Sequence, residues 1–105
     1  MAREQLQTLS EPMYYILLAL TEECCGVDIM QKVGEISRER IAVGPGTLYA
    51  LLDKFLASGL IVQTKAEGRR RSYIITQSGL EMLNREYDRL EAMLAEGSAI
   101  LKRKG

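Results

Sequence analysis

The last third of the chain carries the pattern that most limits its fold. Its apolar residues follow one another in alternating steps of three and four, broken only at Gly97: Leu80, Leu83, Tyr87, Leu90, Leu94 and Leu101. This spacing is an a/d heptad seam along one face of a helix. A helix over residues 77–102 is about 39 Å long at about 1.5 Å per residue. A preceding domain of roughly 75 residues is too compact to cover it, so the seam predicts a partner helix.

The economical partner is a second copy of the same chain, related to the first by a two-fold axis. The alternative is a helix that folds back on the core of its own chain. The segment from Met13 to Leu20 favours the dimer, because it is apolar on all sides. Such a helix is buried both on the side of its own core and on the opposite side, where a second subunit would pack. The residues predicted to form the dimer contact are Leu83, Tyr87, Leu90, Leu94 and Leu101.

Three helices precede the seam. Ser10 is placed to cap the first, with Glu11 and Pro12 in its first turn, and we expect this helix over residues 10–22. A second follows Gly26, with an apolar face of Ile29, Met30, Val33 and Ile36, and ends around residues 37–40. The third begins at Pro45 and ends at Gly59, and its apolar face contains Leu48, Leu51, Leu52, Phe55 and Leu56.

Two segments rich in β-branched residues, 60–65 and 70–75, flank the residues Ala66 to Arg69 and predict a β-hairpin with a glycine turn. Ile41 to Val43 is a candidate edge strand. Thr76 is placed to cap the long last helix. Three helices and a hairpin wing are the parts of a winged helix-turn-helix. We therefore predict a mostly α fold with a small β-hairpin (α+β), in which residues 1–76 form the winged helix-turn-helix domain and residues 77–105 the dimerisation helix.

The third helix has the features needed to enter the major groove of DNA. Gly46, Thr47 and Ala50 are short and let the helix axis approach the base edges. Tyr49 is long enough for a phosphate or a thymine methyl, and Lys54 supplies a charge for a phosphate. The alternative is that these are ordinary solvated positions of a surface helix.

The hairpin tip concentrates positive charge in a chain of zero net charge. Lys65, Arg69, Arg70 and Arg71 lie there with a single acidic residue, Glu67. Such a patch favours phosphates through counterion release. Strand alternation places Arg69 and Arg71 on one side and Arg70 on the other. The alternative is an edge strand kept soluble by its charges.

Several function classes lack their usual residues. The chain contains no histidine, no nucleophile elbow and no phosphate-binding glycine loop, so we predict neither an enzyme nor a cofactor or metal site. Its longest apolar run is too short to cross a membrane and its start is unlike a signal peptide, which predicts a cytoplasmic protein. The adjacent Cys24 and Cys25 cannot staple a loop. They leave open a sensing role for a redox signal or a thiophilic metal.

Several strings of the sequence closely resemble the PadR family of bacterial regulators. The most specific is Gly44-Pro45-Gly46-Thr47-Leu48-Tyr49, and others are Leu9 to Leu20, Gly59-Leu60-Ile61, Arg70 to Tyr73 and Thr76 to Gly79. The resemblance covers nearly the whole chain, to about Leu94. It implies a homodimeric winged-helix protein that binds double-stranded DNA, usually as a repressor, and whose last helix packs on the partner's first helix.

By this resemblance Thr47, Tyr49, Lys54 and the wing arginines are the DNA contacts. It also implies a small apolar or aromatic effector near the dimer interface, with Met13, Tyr14, Leu17, Met93 and Leu94 as the lining. Two features depart from the family. Cys25-Gly26-Val27 replaces a frequent His-Gly-Tyr, and the absence of tryptophan leaves only tyrosines to stack on a planar ligand.

Two other functions fit the same elements. One is a winged-helix module that docks a protein through the third helix, which has no need of the arginines at positions 69–71. The other is an architectural or replication protein, which shares every feature of a regulator at the level of sequence.

Overall fold

The computed structural model describes residues 8–104. In chain order its elements are α1 (Glu11–Ala19), β1 (Cys24–Cys25), α2 (Gly26–Ile36), α3 (Pro45–Ala57), β2 (Ile61–Glu67), β3 (Arg70–Ile75) and α4 (Gln77–Lys104). The order predicted from the sequence is confirmed, and β1 is an addition to it. None of the described helices is both long and apolar enough to span a membrane.

The first helix is set by its cap and buried by its apolar residues. The Ser10 hydroxyl accepts a hydrogen bond from the Met13 N–H, and Pro12 lies in the first turn. Ile16 and Leu17 are fully buried, whereas Tyr14 and Leu18 are half-buried on the other side. The second side of this helix is therefore only partly covered within the chain.

A three-stranded antiparallel sheet forms the wing, in the order β1-β3-β2. β2 and β3 are joined by a two-residue turn, because Glu67 pairs with Arg70, and Gly68 supplies the positive φ that the turn requires. The strands therefore extend closer to the tip than the sequence indicated. Between Gln63 and Lys65 the register shifts, which leaves Thr64 as a bulged residue.

The prediction of an edge strand at Ile41 to Val43 was wrong. The free edge of β3 is taken instead by β1, in which Cys24 pairs with Tyr73 and Cys25 with Ser72. Residues 41–43 connect α2 to α3, where the Ile41 N–H bonds the Ser37 hydroxyl. Val43 still contributes its side chain to the core, so the apolar pattern reflects burial without strand pairing.

The core lies between α1, α2, α3 and the inner face of the sheet. Its largest fully buried side chains are Phe55, Ile16, Leu17, Leu20, Ile29, Leu48, Leu52, Ile61 and Val33. They include most of the apolar faces predicted for the helices, with one strand residue added. The predicted faces were too wide, because Ile36 and Leu56 are exposed and Met30 and Leu51 are only half-buried. The core fixes α3 by three of its leucine and phenylalanine side chains and leaves its opposite face free.

The long helix α4 belongs to the core only at its beginning. Leu83 is 5% exposed and packs with the core, whereas Leu94 and Leu101 are each 71% exposed. Tyr87 and Leu90 lie between these extremes along the helix and are exposed. The seam therefore divides within this chain: Leu83 is a residue of its own core, and the uncovered stripe begins at Tyr87.

Candidate nucleic-acid interface

Helix α3 presents a slim outer face. Its Leu48, Leu52 and Phe55 are buried, and this orients the opposite side of the helix outward. The residues on that side are small or polar and all exposed: Gly46, Thr47, Ala50, Asp53, Lys54 and Ala57. Pro45 begins the helix after Gly44, which has no side chain to obstruct its N-terminus. A helix with such a face can approach the floor of the major groove closely.

Tyr49 packs against the start of α2. It is 42% exposed. Its ring lies against the first residue of α2, where a Cβ added to Gly26 would be 3.0 Å from the Tyr49 Oη and 3.2 Å from its Cε1. The absence of a side chain at Gly26 therefore leaves room for the Tyr49 ring. The sequence predicted a DNA contact at Tyr49, and the structure adds a packing role between α2 and α3.

The four basic residues of the wing are not equivalent. Lys65 Nζ lies 4.0 Å from a Glu23 carboxylate oxygen, and Arg70 Nη2 lies 3.9 Å from an Asp28 oxygen. These acids precede β1 and lie in the first turn of α2, and sequence reasoning missed both. The pairs are exposed, so each is worth at most about 1 kcal/mol.

Arg69 and Arg71 have no carboxylate within 4.0 Å among residues 8–104. Arg69 lies in the hairpin turn, and Arg71 Nη1 reaches the side-chain oxygen of Gln63 at 3.5 Å. Strand alternation separates Arg70, beside Asp28, from Arg71, as expected. The uncompensated positive charge of the wing therefore lies at Arg69 and Arg71.

The turn between α2 and α3 is tied to the body by a cationic residue. Arg38 and Glu39 both have positive φ, at 56° and 64°. The Arg40 guanidinium then donates to a Glu11 carboxylate oxygen and to the Tyr15 hydroxyl, both at 3.0 Å. These bonds raise the pKa of Arg40 above its ordinary value, the Tyr15 bond most, so the tie persists at every physiological pH.

The two cysteines lie in the edge strand β1. Successive residues of a strand face opposite sides, so the two thiols diverge. Burial raises the pKa of the Cys24 thiol above its ordinary value, which keeps it protonated and weakly nucleophilic. Within residues 8–104 no cluster of Cys, Asp and Glu side chains has the arrangement of a metal site.

A match to a protein-family model shows which proteins this chain is related to. The model of the transcriptional regulator PadR-like family matches residues 16–85, a span that includes the end of α1, all of α2 and α3, the wing and the first part of α4. The chain belongs to the PadR-like family. Members are transcriptional regulators, and the resemblance expected from the Gly-Pro-Gly-Thr-Leu-Tyr string is confirmed. No curated protein sequence matches this PadR-like chain.

Solved structures show the same winged-helix fold. A PadR family transcription regulator from Clostridium difficile R20291 superimposes with a TM-score of 0.68 at 22% identity, over 84% of this chain and 97% of the other. One from Eggerthella lenta gives 0.66 at 24% identity, over 88% and 81%. A complex of RosR, a protein of H. salinarum, gives 0.65 at 28% identity, over 91% and 82%.

The residues expected to line an effector site are divided between the core and the surface of this PadR-like protein. Met13 and Leu17 are buried in the core, whereas Met93 and Leu94 are exposed on α4. Tyr14 is half-buried and meets Tyr15 edge to face, with ring centroids 5.6 Å apart. Burial, followed by the neighbouring Tyr15, raises the pKa of Tyr14 above its ordinary value, so its hydroxyl remains neutral.

Sequence reasoning missed a buried carboxylate beside the seam. Glu86 is 5% exposed, and it accepts hydrogen bonds from the Arg89 guanidinium. The Arg89 bond is the main cause that holds the pKa of Glu86 below its ordinary value, and the nearby Leu9 N–H lowers it further. The buried carboxylate therefore lies where the segment before α1 approaches α4. Its position three residues after Leu83 was the available signal, since such a residue lies on the same helix face.

Proposed function

We propose that this PadR-like protein is a sequence-specific transcriptional repressor that binds a palindromic operator as a homodimer. The observation that carries the proposal is the slim exposed face of α3 beside a wing whose Arg69 and Arg71 lack acidic partners in the described chain. In this arrangement α3 enters the major groove and the wing follows the backbone. Repression follows from occupancy of the operator.

The proposed contacts divide into two classes. Thr47, with Tyr49 at its side, faces the base edges, where a hydroxyl or a methyl distinguishes sequences. Lys54 and the basic wing residues, Lys65 and Arg69 to Arg71, face phosphates. Among the wing residues Arg69 and Arg71 contribute most, because Lys65 and Arg70 must first leave Glu23 and Asp28.

The proposed dimer uses the uncovered stripe of α4, which contains Tyr87, Leu90, Leu94 and Leu101, while Leu83 supports it from the core. Exposed apolar side chains are costly in water, Leu94 and Leu101 most of all at 71% exposure each, and a second copy covers the stripe with the same residues. The half-covered side of α1 lies in the same half of the molecule and supplies Tyr14.

The wing assignment is tested by salt dependence. A duplex is first selected from random DNA by the wild-type protein, and its affinity is measured over a range of salt concentrations. Arg69→Ala with Arg71→Ala removes four arginines from a dimer. The slope of log affinity against log salt is then expected to fall by up to about 3.6, at about 0.9 per phosphate. Arg85→Ala with Arg103→Ala, exposed on α4, is the control of equal charge. An unchanged slope in the wing variant would refute the assignment.

A base-reading role for Thr47 is tested by preference among sequences. Thr47→Val keeps the shape of the side chain and removes its hydroxyl, so discrimination at one base pair in each half-site is expected to weaken by about 1–3 kcal/mol. Lys54→Ala serves as the comparison, because loss of a phosphate contact lowers affinity for all sequences alike. If both variants lose affinity equally for all sequences, Thr47 contacts the DNA backbone and does not read a base.

The effector proposal follows from Tyr14, Met93 and Leu94. Two of these residues are exposed and one is a half-buried aromatic, so a planar apolar molecule would find an apolar lining where α1 and α4 meet a partner. Such a ligand is expected to release the operator by favouring a dimer with altered helix separation. Titration of planar aromatic compounds against Tyr fluorescence, with Tyr14→Ala as the comparison, tests it; binding that Tyr14→Ala leaves intact would place the ligand elsewhere.

A further inference from the structure

The recognition helix and the long helix are connected by a compact set of backbone contacts at Gly59, Leu60, Thr76 and Gly79, which we call the junction. The Thr76 hydroxyl donates to the Gly59 carbonyl at 2.7 Å, and the Thr76 N–H donates to the Leu60 carbonyl at 2.9 Å. Both carbonyls belong to the segment by which the chain leaves α3. Thr76 therefore holds two successive peptide groups at the end of the recognition helix.

The same threonine begins α4. Its hydroxyl accepts from the Gly79 N–H at 3.1 Å, which is the bond of an N-cap to the third residue of the helix. Its carbonyl accepts from the Leu80 N–H at 2.8 Å, as the first bond of the helix. One side chain thus bonds the end of one helix and the beginning of the other.

Close packing brings the first turn of α4 into direct contact with the junction. A Cβ added to Gly79 would lie 2.1 Å from the Leu60 carbonyl oxygen and 2.7 Å from Ile75 Cγ1. The first turn of α4 therefore lies directly on the backbone that follows α3. The Ile75 N–H also donates to the Leu20 carbonyl at 2.8 Å, so the end of α1 is hydrogen-bonded to the residue that precedes Thr76.

A small rotation at this point has a large effect at the other end of α4. The helix has 28 residues, which is about 42 Å at about 1.5 Å per residue. A tilt of about 5° at its base moves its far end by about 3.7 Å, which is close to the rise of about 3.4 Å for one base pair. The angle between α3 and α4 therefore determines the separation of two recognition helices in a dimer joined through α4.

We propose that Thr76 is a positioning residue that sets the half-site spacing of the operator by fixing the angle between α3 and α4. The hydrogen bond from the Thr76 hydroxyl to the Gly59 carbonyl fixes this angle, because it alone joins the Thr76 side chain to the end of α3. The inference rests on the proposed function, since it requires a dimer that binds paired half-sites.

Two substitutions separate this bond from helix capping. Thr76→Ser keeps both the donor and the acceptor. Thr76→Asp keeps the N-cap, since aspartate is as good a cap as serine, but an ionised carboxylate cannot donate to the Gly59 carbonyl. Any difference between the two variants therefore reports on the link to α3.

The experiment measures binding of each protein to a single half-site and to palindromes whose spacer is shortened or lengthened by one base pair. The wild type and Thr76→Ser are expected to prefer one spacing by about tenfold or more, since a spacing that prevents simultaneous engagement loses avidity. Thr76→Asp is expected to bind the half-site with wild-type affinity and to sediment as a dimer, with its preference reduced below about threefold.

A Thr76→Asp protein that keeps the wild-type spacing preference overturns the inference. Should that variant fail to fold by circular dichroism, Thr76→Val takes its place, with Ser10→Ala as the control for a lost cap at another helix. A spacing preference retained in Thr76→Val then overturns the inference in the same way. A wild type that binds no duplex, or sediments as single chains, overturns the proposed function itself and the inference with it.

Discussion

Leu83 and Leu94 occupy equivalent faces of one helix, yet the first is 5% exposed and the second 71%. In the body of the protein, residues 8–86, a core of apolar side chains is buried between its own elements. The outer helix, residues 87–104, adds none to that core and exposes Tyr87, Leu90, Met93, Leu94, Ile100 and Leu101. One continuous heptad pattern thus has two destinations, the core of the chain at its start and the surface beyond. The second part is the surface that the proposed dimer would bury.

The largest expected effect lies in the outer helix and concerns association. Leu94→Glu with Leu101→Glu places four charges in the proposed dimer contact. Burial of a leucine is worth about 1.5–3 kcal/mol, so the dimer is expected to lose about 6 kcal/mol or more and to sediment as single chains at micromolar concentration. Ala92→Glu with Ala99→Glu adds the same charge on the opposite, exposed face and should leave the dimer intact. Dimers of equal strength in both variants would contradict the division.

The next effect lies in the body and concerns folding. Phe55 is fully buried, and Phe55→Ala is expected to lower the free energy of unfolding by about 3–5 kcal/mol, measured by urea denaturation at one fixed protein concentration. Leu56, the next residue of the same helix, is partly exposed, so Leu56→Ala should cost about 1 kcal/mol. Equal losses for the two would mean that the body is not packed as described.

The structures of the two regions were predicted from different kinds of sequence signal. The helices of the body followed from local signals: Ser10 caps α1, Gly59 ends α3 and Thr76 caps α4 through bonds to residues three or four positions away. The uncovered stripe of α4 followed from periodicity alone. The winged-helix class, and with it the family, depended on the order of these elements.

What escaped prediction depends on residues far apart in the chain. β1 is only two residues long, and its pairing with Tyr73 bridges almost fifty positions without a sequence pattern of its own. The acids Glu23 and Asp28 meet the wing only after folding. For the DNA contacts the sequence supplied candidates, and the structure has shown which basic residues already have partners. Their roles on DNA remain predictions.

A smaller effect is expected where the two regions meet, at Glu86. Its carboxylate accepts hydrogen bonds from the Arg89 guanidinium, and Leu9 and Tyr14 lie near it. Because the folded protein holds the pKa of Glu86 below its ordinary value, the ionised form stabilises the fold. This stabilisation is complete above the ordinary pKa of a glutamate and is lost as the pH falls through the lower, folded value.

Glu86→Gln is therefore expected to cost about 1.5–3 kcal/mol at neutral pH, the range for hydrogen bonds to a charged group, and to flatten the fall in stability in acid. Urea denaturation at neutral and acidic pH measures both. Glu91→Gln, exposed on the same helix, should change neither quantity. An acid profile identical to that of the wild type would mean that ionised Glu86 does not stabilise the fold.

The smallest expected effect is a gain confined to the body. Helices α2 and α3 end in the same motif, in which the second residue after the cap donates to a carbonyl five positions back: Glu39 to Gly34 at 2.7 Å, and Leu60 to Phe55 at 2.9 Å. The left-handed position that follows the cap is Gly59 in α3, with φ 75°, but Arg38 in α2, with φ 56°.

A non-glycine residue in this conformation costs about 1–2 kcal/mol, whereas glycine costs about 0.5–1 kcal/mol through the entropy of the unfolded chain. Arg38→Gly is thus expected to raise the free energy of unfolding by about 0.5–1 kcal/mol, and Gly59→Ala to lower it by about 1 kcal/mol. Both are measured by urea denaturation, with the dimer dissociation constant measured beside them. Because Arg38 lies at the end of α2 and is not part of the stripe of α4, that constant should not change. A shift in dimer strength that accompanies the gain in stability would show that body and outer helix are one cooperative unit, and the division drawn between them would fail.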